Sequence, residues 1–590
     1  MEKINLIIDN IPVKADKGET ILKAAHRIGI DIPTLCYYEL DGVKLENKPG
    51  GCRICVVEVE GRRNLAPACA TDVTEGMVVH THSLRVVNAR RTVLEMILSD
   101  HPTDCLICSK SGNCELQDLS QMLSVREIPY QGEHSTYRMD TSEAIIRDVD
   151  KCVMCRRCET VCNIWQTVGA LSAVNRGFEA VVATAFEQDL ERSPCTYCGQ
   201  CIQACPVGAL SEVDSTGRVI QAIADPKKTV VVQTAPAVRV ALGEEFGMEP
   251  GTIVTGKMAA VLRKIGFDYV FDTDFAADLT IMEEGTELLD RIARHMEGDT
   301  SVKLPILTSC CPGWVNFFEV NYPDMLDVPS TAKSPQQMFG AVAKNYWANK
   351  IGVKREDMVV VSIMPCVAKK FECSRDEFKV DGNPDVDFAL TTRELASLIK
   401  QFNIDFAALE EEDFDKPLGE STGAGVIFGA TGGVIEAATR TAYEIFTKKT
   451  LPKIDFEELR GLEGVRRATV DFDGTPINIG IAHGLSNARK LLDEVRTGKS
   501  NFHAIEVMAC PGGCIGGAGQ PFHHGDFSII EKRFEAIYRE DVGKPIRKSH
   551  ENPHIIALYE DWLGEPCGEL SHELLHTHYF DKSKQIEVEG

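Results

Sequence analysis

Twenty-two cysteines in 590 residues, and their spacing, limit this chain more than any other feature. Fifteen lie before residue 206 in short-spaced groups. The other seven, Cys310, Cys311, Cys366, Cys373, Cys510, Cys514 and Cys567, are scattered through the remainder. In a reducing compartment so many thiols do not pair as disulfides, and soft thiolates at close spacing suit metal centres. The asymmetry separates a relay half from a chemistry half.

The length calls for three or more domains. Apolar residues at 44% and charged residues at 26% describe a soluble globular protein. No run of apolar residues approaches the 18 or so a membrane span needs, so no membrane is expected. The start MEKINLIIDN turns acidic at once and lacks a basic-then-apolar leader, which points to the cytoplasm. A net charge of −25 repels nucleic acid and anionic lipid, and either favours basic patches on partner proteins or serves solubility alone.

Residues 1–80 read as a small β-rich unit. INLIIDNIPVKA gives two alternating runs about Asp9-Asn10, GETILKAAHRIGI an amphipathic helix, and RICVVEVEG and MVVHTH later strands. A helix over 83–99 delivers the chain to His101, and 126–145 is polar and turn-rich, a linker. From 146 to about 212, C-x2-C-x2-C-x3-C occurs twice. After 225 the pattern becomes α/β with a parallel sheet. TVVVQTAP, LPILTSCC, VVVSIMPC and AIEVMACPGGC are apolar strands that each run straight into a special residue. TGAGVIFGATGG is glycine-rich without a G-x-G-x-x-G after a strand, so no dinucleotide site is expected.

Cys52 and Cys55 form a tight pair, with Cys36 before and Cys69 after. Zinc and iron–sulfur centres both accept thiolates, but structural zinc favours two paired knuckles and only one pair here is tight. The segment resembles a β-grasp ferredoxin-like domain carrying one 2Fe–2S cluster. His101, Cys105, Cys108 and Cys114 follow. They resemble the 4Fe–4S domain with one histidine ligand that FeFe hydrogenases share with respiratory NADH dehydrogenase. The repeat is similar to the bacterial two-cluster ferredoxin run, in which the fourth cysteine ligates the other cluster. That pattern assigns one 4Fe–4S to Cys152, Cys155, Cys158 and Cys205, and a second to Cys195, Cys198, Cys201 and Cys162.

TSCCPGW (308–314), MPCVAKKFE (364–372) and EVMACPGGCIGG (506–517) resemble the three signature segments of FeFe hydrogenases, and the likeness extends over essentially the whole chain. It implies a multidomain α+β fold. A β-grasp 2Fe–2S domain spans 1–80, a histidine-ligated 4Fe–4S domain 81–125, a two-4Fe–4S ferredoxin-like domain 143–215 and a large α/β H-cluster domain 225–590. The H-cluster joins a 4Fe–4S cube to a two-iron subcluster with CO, cyanide and azadithiolate ligands. By position Cys311, Cys366, Cys510 and Cys514 hold the cube, Cys514 being shared with the two-iron unit. Lys369 faces a cyanide, Ala235, Pro236, Met364 and Met508 wall the subcluster, and Gln336 and Ser334 are polar neighbours. Cys310, surplus to the four ligands, passes protons, with a relay read inward as Glu287, Ser330, Glu284, Cys310. Cys373 and Cys567 read as ordinary thiols, and SHELLHTHYF as a packing segment.

The expected activity is reversible oxidation of dihydrogen. The likeness is to subunits of NAD(P)-linked, in some cases electron-bifurcating, hydrogenases. It therefore implies a flavin- and NAD(P)-binding subunit, a small iron–sulfur subunit and ferredoxin as partners. A stand-alone ferredoxin-dependent enzyme is the alternative. A hydrogen sensor is a different class, and such relatives often lack the relay cysteine that this chain has at 310. A passive electron-transfer subunit would match 1–212 alone and leave the three signature strings unexplained.

Overall fold

Alternation and turn chemistry build the first hairpin. Lys3–Ile8 pairs antiparallel with Ile11–Asp16, and Asp9 and Asn10 take positive φ of 45° and 68°, as a two-residue hairpin turn requires. The computed structural model describes residues 3–133 and 138–586. They form two compact units: 1–164 with 169–193 and 201–211, and 165–168 with 194–200 and 212–590.

In the first unit the hairpin joins a five-stranded sheet with Val78–His80, Val56–Val59 and Ala66–Pro67. Leu6, Ile8, Val13 and Ala15 point inward onto the helix Ile21–His26, whose first turn is capped by the Thr20 hydroxyl. The helix Leu84–Ser99, capped by Ser83, lies against Val56, whose carbonyl takes the buried Arg90 guanidinium. The stretch expected as a linker is partly structured. Asp140–Thr141 pairs with Ile145–Arg147, held by a buried Arg147–Asp140 ion pair. Residues 134–137 of that stretch lie outside the described residues.

Among its described residues the second unit holds two four-stranded sheets where one sheet was expected, besides the short antiparallel pair Lys379–Val380 and Asn383–Pro384. The first runs Tyr269–Asp272, Thr229–Thr234, Met358–Met364, Phe388–Thr391, all parallel. The second runs Ile306–Leu307, Ala504–Met508, Thr475–His483, Val465–Phe472, and its last pair is an antiparallel hairpin. The strands before TSCC and ACPGGC therefore pair with each other, apart from the strands before TAP and MPC. Every residue of Met358–Met364 and Ala504–Met508 is buried, as for parallel strands covered on both faces. The 24-residue helix Thr273–Met296 packs on Pro335–Val342 and Gly433–Thr447 and carries Glu283, Glu284 and Glu287. No helix among the described residues is long and apolar enough to cross a membrane.

Candidate active site

Both sheets of the second unit deliver their strand ends to one cavity of about 700 Å³. Thr229–Thr234 runs into Ala235-Pro236, Met358–Met364 into Pro365-Cys366, Ile306–Leu307 towards Cys310-Cys311, and Ala504–Met508 towards Cys510. Carboxyl ends of parallel strands are where open α/β sheets place ligands. Cys311 is the N-cap of the helix Pro312–Asn321, with Pro312 in the first turn where its missing N–H costs nothing. The loop from Cys510 to Cys514 closes only because Gly513 sits at φ 98°. A Cβ there would lie 2.6 Å from the Thr431 nitrogen and 2.9 Å from the Met508 sulfur.

Cys310, Cys311, Cys366, Cys510, Cys514, Lys369, Ala235, Pro236, Met364, Met508 and Gln336 all line this cavity, while Ser334 does not. Ser334 caps the helix Pro335–Val342 and donates to Glu372 at 2.9 Å, one layer behind the wall. Burial pushes the thiols of Cys311, Cys366, Cys510 and Cys514 upward, and neighbouring sulfurs add to this for the last three, Cys514 reaching about 12. Four dry sulfurs that repel one another's ionisation, with no carboxylate or imidazole among them, require a strongly cationic, sulfur-loving group to become thiolates. Iron in a cubane cluster is such a group, so the donor set fits the 4Fe–4S part of an H-cluster.

The Lys369 ammonium is buried on the cavity wall, 2.9 and 3.0 Å from the two Glu372 oxygens and 3.2 Å from the Cys310 carbonyl. Burial pulls its pKa down, but Glu372 outweighs this and the charge is held above its ordinary range. Gln336 also donates to Glu372, at 2.8 Å, and accepts from the Ser362 hydroxyl at 2.7 Å.

Cys310 lies on the side facing the helix Thr273–Met296. Burial, then Glu284, raise its thiol well above the usual range. Glu284 is itself pushed up to about 8, by burial first and then by Glu287 and Glu506. Ser330 and the Ser309 backbone favour its charged form without outweighing burial, and its Oε1 has no protein partner. The Ser330 hydroxyl also reaches Glu287 at 2.7 Å, and Glu287, partly exposed, pairs with Arg291 at 2.5 Å. The four residues therefore run from cavity to surface in the order Cys310, Glu284, Ser330, Glu287. The tail clamps this loop. Tyr579 donates to the Ser330 carbonyl, Thr577 N–H to the Thr331 carbonyl at 2.7 Å, and His576 meets the Thr331 hydroxyl at 2.7 Å.

Arg291 and Glu372 are partners at i+4 and i+3 in the sequence, and Thr331 adjoins Ser330, whereas the approach of Glu506 and Tyr579 to this site joins segments far apart in the chain and left no local signal. Cys567 packs on Glu283, its N–H 2.7 Å from the carboxylate that His576 and Tyr559 also bond. Cys373 is contacted by Gln336.

In the first unit, Cys55 and Cys69 bring their sulfurs to 3.3 Å, and Cys36 lies close enough to Cys52 and Cys69 to feel both. The crowding pulls Cys36 and Cys55 down and pushes Cys52 and Cys69 up. Four sulfurs so close fit a small cluster. The His101 Nδ1 lies 2.7 Å from the Pro102 carbonyl, and its Nε2 is buried with no partner. Burial lowers its pKa, so it is a neutral ring with a lone pair to offer. Cys108 lies close enough to raise Cys114, whose own burial is the larger effect. Cys152, Cys155, Cys158 and Cys205 line one cavity of about 440 Å³. Of the remaining set, Cys162 and Cys201 belong to the first unit and Cys195 and Cys198 to the second.

Five family models match stretches of the chain. The family model for the iron only hydrogenase large subunit, C-terminal domain, matches residues 228–518, and that for the iron hydrogenase small subunit matches 527–582. Upstream, a 2Fe-2S iron-sulfur cluster binding domain matches 1–83, the NADH-ubiquinone oxidoreductase-G iron-sulfur binding region 90–129, and a 4Fe-4S dicluster domain 151–209. The chain is 64% identical to the NADP-reducing hydrogenase subunit HndD of Solidesulfovibrio fructosivorans, over 99% of this chain and 100% of that one. It is 39% identical to iron hydrogenase 1 of Clostridium pasteurianum, over 97% and 99%. Among solved structures, an apo [FeFe]-hydrogenase HydA1 variant from Chlamydomonas reinhardtii is 42% identical with a TM-score of 0.56, covering 62% of this chain and 99% of that one. The fold and site are those of an iron–sulfur oxidoreductase. The chain belongs to the iron-only (FeFe) hydrogenase family. It carries 2Fe–2S and 4Fe–4S clusters, and its catalytic domain implies an H-cluster.

Proposed function

We propose that this hydrogenase oxidises dihydrogen reversibly at an H-cluster held by Cys311, Cys366, Cys510 and Cys514. The observation that carries the reading is the convergence of these four buried thiols on one cavity whose wall also bears Cys310 and Lys369. When bound there, the H-cluster, with its CO, cyanide and azadithiolate ligands, supplies heterolytic cleavage of dihydrogen and takes up two electrons. The chain's own residues do the rest. Ala235, Pro236, Met364 and Met508 exclude water, and Lys369 offers a fixed cationic donor that Glu372 and Gln336 hold in place. The Cys310 thiol hands its proton to Glu284, whose raised pKa suits a carrier near neutral pH, and Ser330 and Glu287 pass it to the surface.

Electrons leave through one 2Fe–2S site at Cys36, Cys52, Cys55 and Cys69 and through three 4Fe–4S sites. One of these is His101 with Cys105, Cys108 and Cys114. The others are Cys152, Cys155, Cys158 and Cys205, and Cys195, Cys198, Cys201 and Cys162. The four-part division 1–80, 81–125, 143–215 and 225–590 follows these sites. We assign the chain to a heteromeric complex with a flavin- and NAD(P)-binding subunit and a small iron–sulfur subunit, with ferredoxin as a second acceptor where electrons are bifurcated. The support is the near full-length likeness to a subunit of an NADP-reducing hydrogenase. Work on the NAD(P) pool would keep the complex in the cytoplasm.

The test is the fully matured chain with dihydrogen and a viologen dye. Wild type should reduce the dye. Cys310→Ala should lose about 10²–10⁴-fold while keeping its iron content and its CO and cyanide infrared bands, since it removes a proton carrier and no iron ligand. An inert wild type, or an undiminished variant, would overturn the reading.

A further inference from the structure

Arg157 lies between two of the cysteines that line the first unit's 440 Å³ cavity, Cys155 and Cys158, yet its side chain does not turn to solvent. It is 3% exposed. Its two terminal nitrogens form a fork on the Glu115 carboxylate, both at 2.7 Å. Its guanidinium carbon stands 5.4 Å from the centre of the Tyr38 ring, and its Nε is buried without a partner. Glu115 follows Cys114, and Tyr38 lies two residues after Cys36. One fixed cation thus touches segments from three cysteine groups. Beside it the buried Asn47 amide donates to the Cys36 carbonyl at 2.6 Å and the Cys155 carbonyl at 3.1 Å, and accepts from Thr160 at 2.6 Å. Asn47 thereby fixes the Cys36 segment directly against the Cys155 segment.

A buried ion pair is no better for stability than an apolar pair of the same shape, so packing alone does not account for this one. The asymmetry of the pair matters more. The Arg157 side chain is 4% exposed and that of Glu115 25% exposed, so water screens the carboxylate and not the guanidinium. The buried Cys155 sulfur, two residues before Arg157 in the chain, sees the positive end. One-electron reduction adds one negative charge to an iron–sulfur cluster, and a nearby unscreened cation stabilises the reduced form.

We propose that Arg157 sets the reduction potential of the 4Fe–4S site at Cys152, Cys155, Cys158 and Cys205, raising it so that electrons collect where the Cys36 and Cys114 segments meet. This rests on the ligand reading given above. Glu115 tempers the effect, and Tyr38 and Asn47 hold the geometry. Arginine is needed for the fork, but a lysine would keep the charge.

The experiment is a redox titration of the matured full-length chain followed by electron paramagnetic resonance, with Cys155→Ala identifying the signal of this site. Arg157→Gln should lower its midpoint by at least a tenfold change in the electron-sharing equilibrium, about 59 mV for one electron. Glu115→Gln, which leaves the cation untempered, should raise it, and Arg157→Lys should stay nearer wild type than Arg157→Gln. A purely structural role would not produce shifts of opposite sign. An unmoved midpoint in Arg157→Gln with full iron content, or shifts of the same sign in Arg157→Gln and Glu115→Gln, overturns the proposal. If Arg157→Gln fails to hold its cluster, Glu115→Gln decides alone: a rise supports the proposal, and no rise overturns it. Full signal intensity in Cys155→Ala would instead show the ligand reading to be at fault.

Discussion

Cys310 and Cys311 are neighbours in the chain, and the tasks proposed for them differ with their surroundings. Cys311 opens a helix and is raised by burial alone, whereas Cys310 is raised by burial and then by a carboxyl, Glu284. Glu284 carries the clearest pH signature. Its pKa is pushed from 4.5 to about 8 by burial and by Glu287. Below about pH 8 it keeps its proton and can donate inward, as evolution of dihydrogen requires. Above that it is a carboxylate and can only accept, as oxidation requires. At fixed overpotential in film voltammetry, evolution should therefore fall as pH rises through about 8 while oxidation gains. Glu284→Gln should be slow in both directions and lose that inflection. An inflection at the same pH in the variant would assign it to another group.

At the scale of elements, the site depends on strands that stop at the right place and on a loop that only glycine permits. Gly513→Ala would drive a methyl into the Thr431 backbone at a positive φ. The variant should lose the cavity cluster while the first unit's clusters remain, seen as loss of CO and cyanide bands with the relay signals intact. Normal bands would mean that the loop between Cys510 and Cys514 adapts. Much of this was legible beforehand, because ligand spacing is local. C-x2-C pairs, a helix running to His101 and apolar runs ending in TAP, TSCC, MPC and ACPGGC are all written in consecutive residues. Pairing is not local. Those strands divide between two sheets, the second of which ends in an antiparallel hairpin about Asp473-Gly474. The clamp by Thr577 and Tyr579 on the loop of Ser330 joins segments some 250 residues apart, where no periodicity reports it. Nor could composition show that Lys369 is buried against Glu372, since a lysine in a polar string reads as solvated.

For the whole molecule, the balance of sites matters more than any one of them. Among the described residues no strand runs into a G-x-G-x-x-G turn, and the sulfur-lined cavities suit metal. Two electrons from each dihydrogen must nonetheless reach an acceptor, and every proposed relay centre exchanges one electron at a time. A pyridine nucleotide accepts a hydride, so a flavin is needed between the one-electron relay and the two-electron cofactor. In the proposed complex that flavin belongs to another subunit. The matured chain alone should thus reduce viologen with dihydrogen at full rate but leave NAD(P) untouched. Adding the flavoprotein subunit from the native complex should restore NAD(P) reduction, and adding flavin alone should not. Direct reduction of NAD(P) by the pure chain would place a nucleotide site within it and overturn the division of labour. Full activity of a native preparation with ferredoxin, and no flavoprotein present, would make the chain a stand-alone enzyme instead.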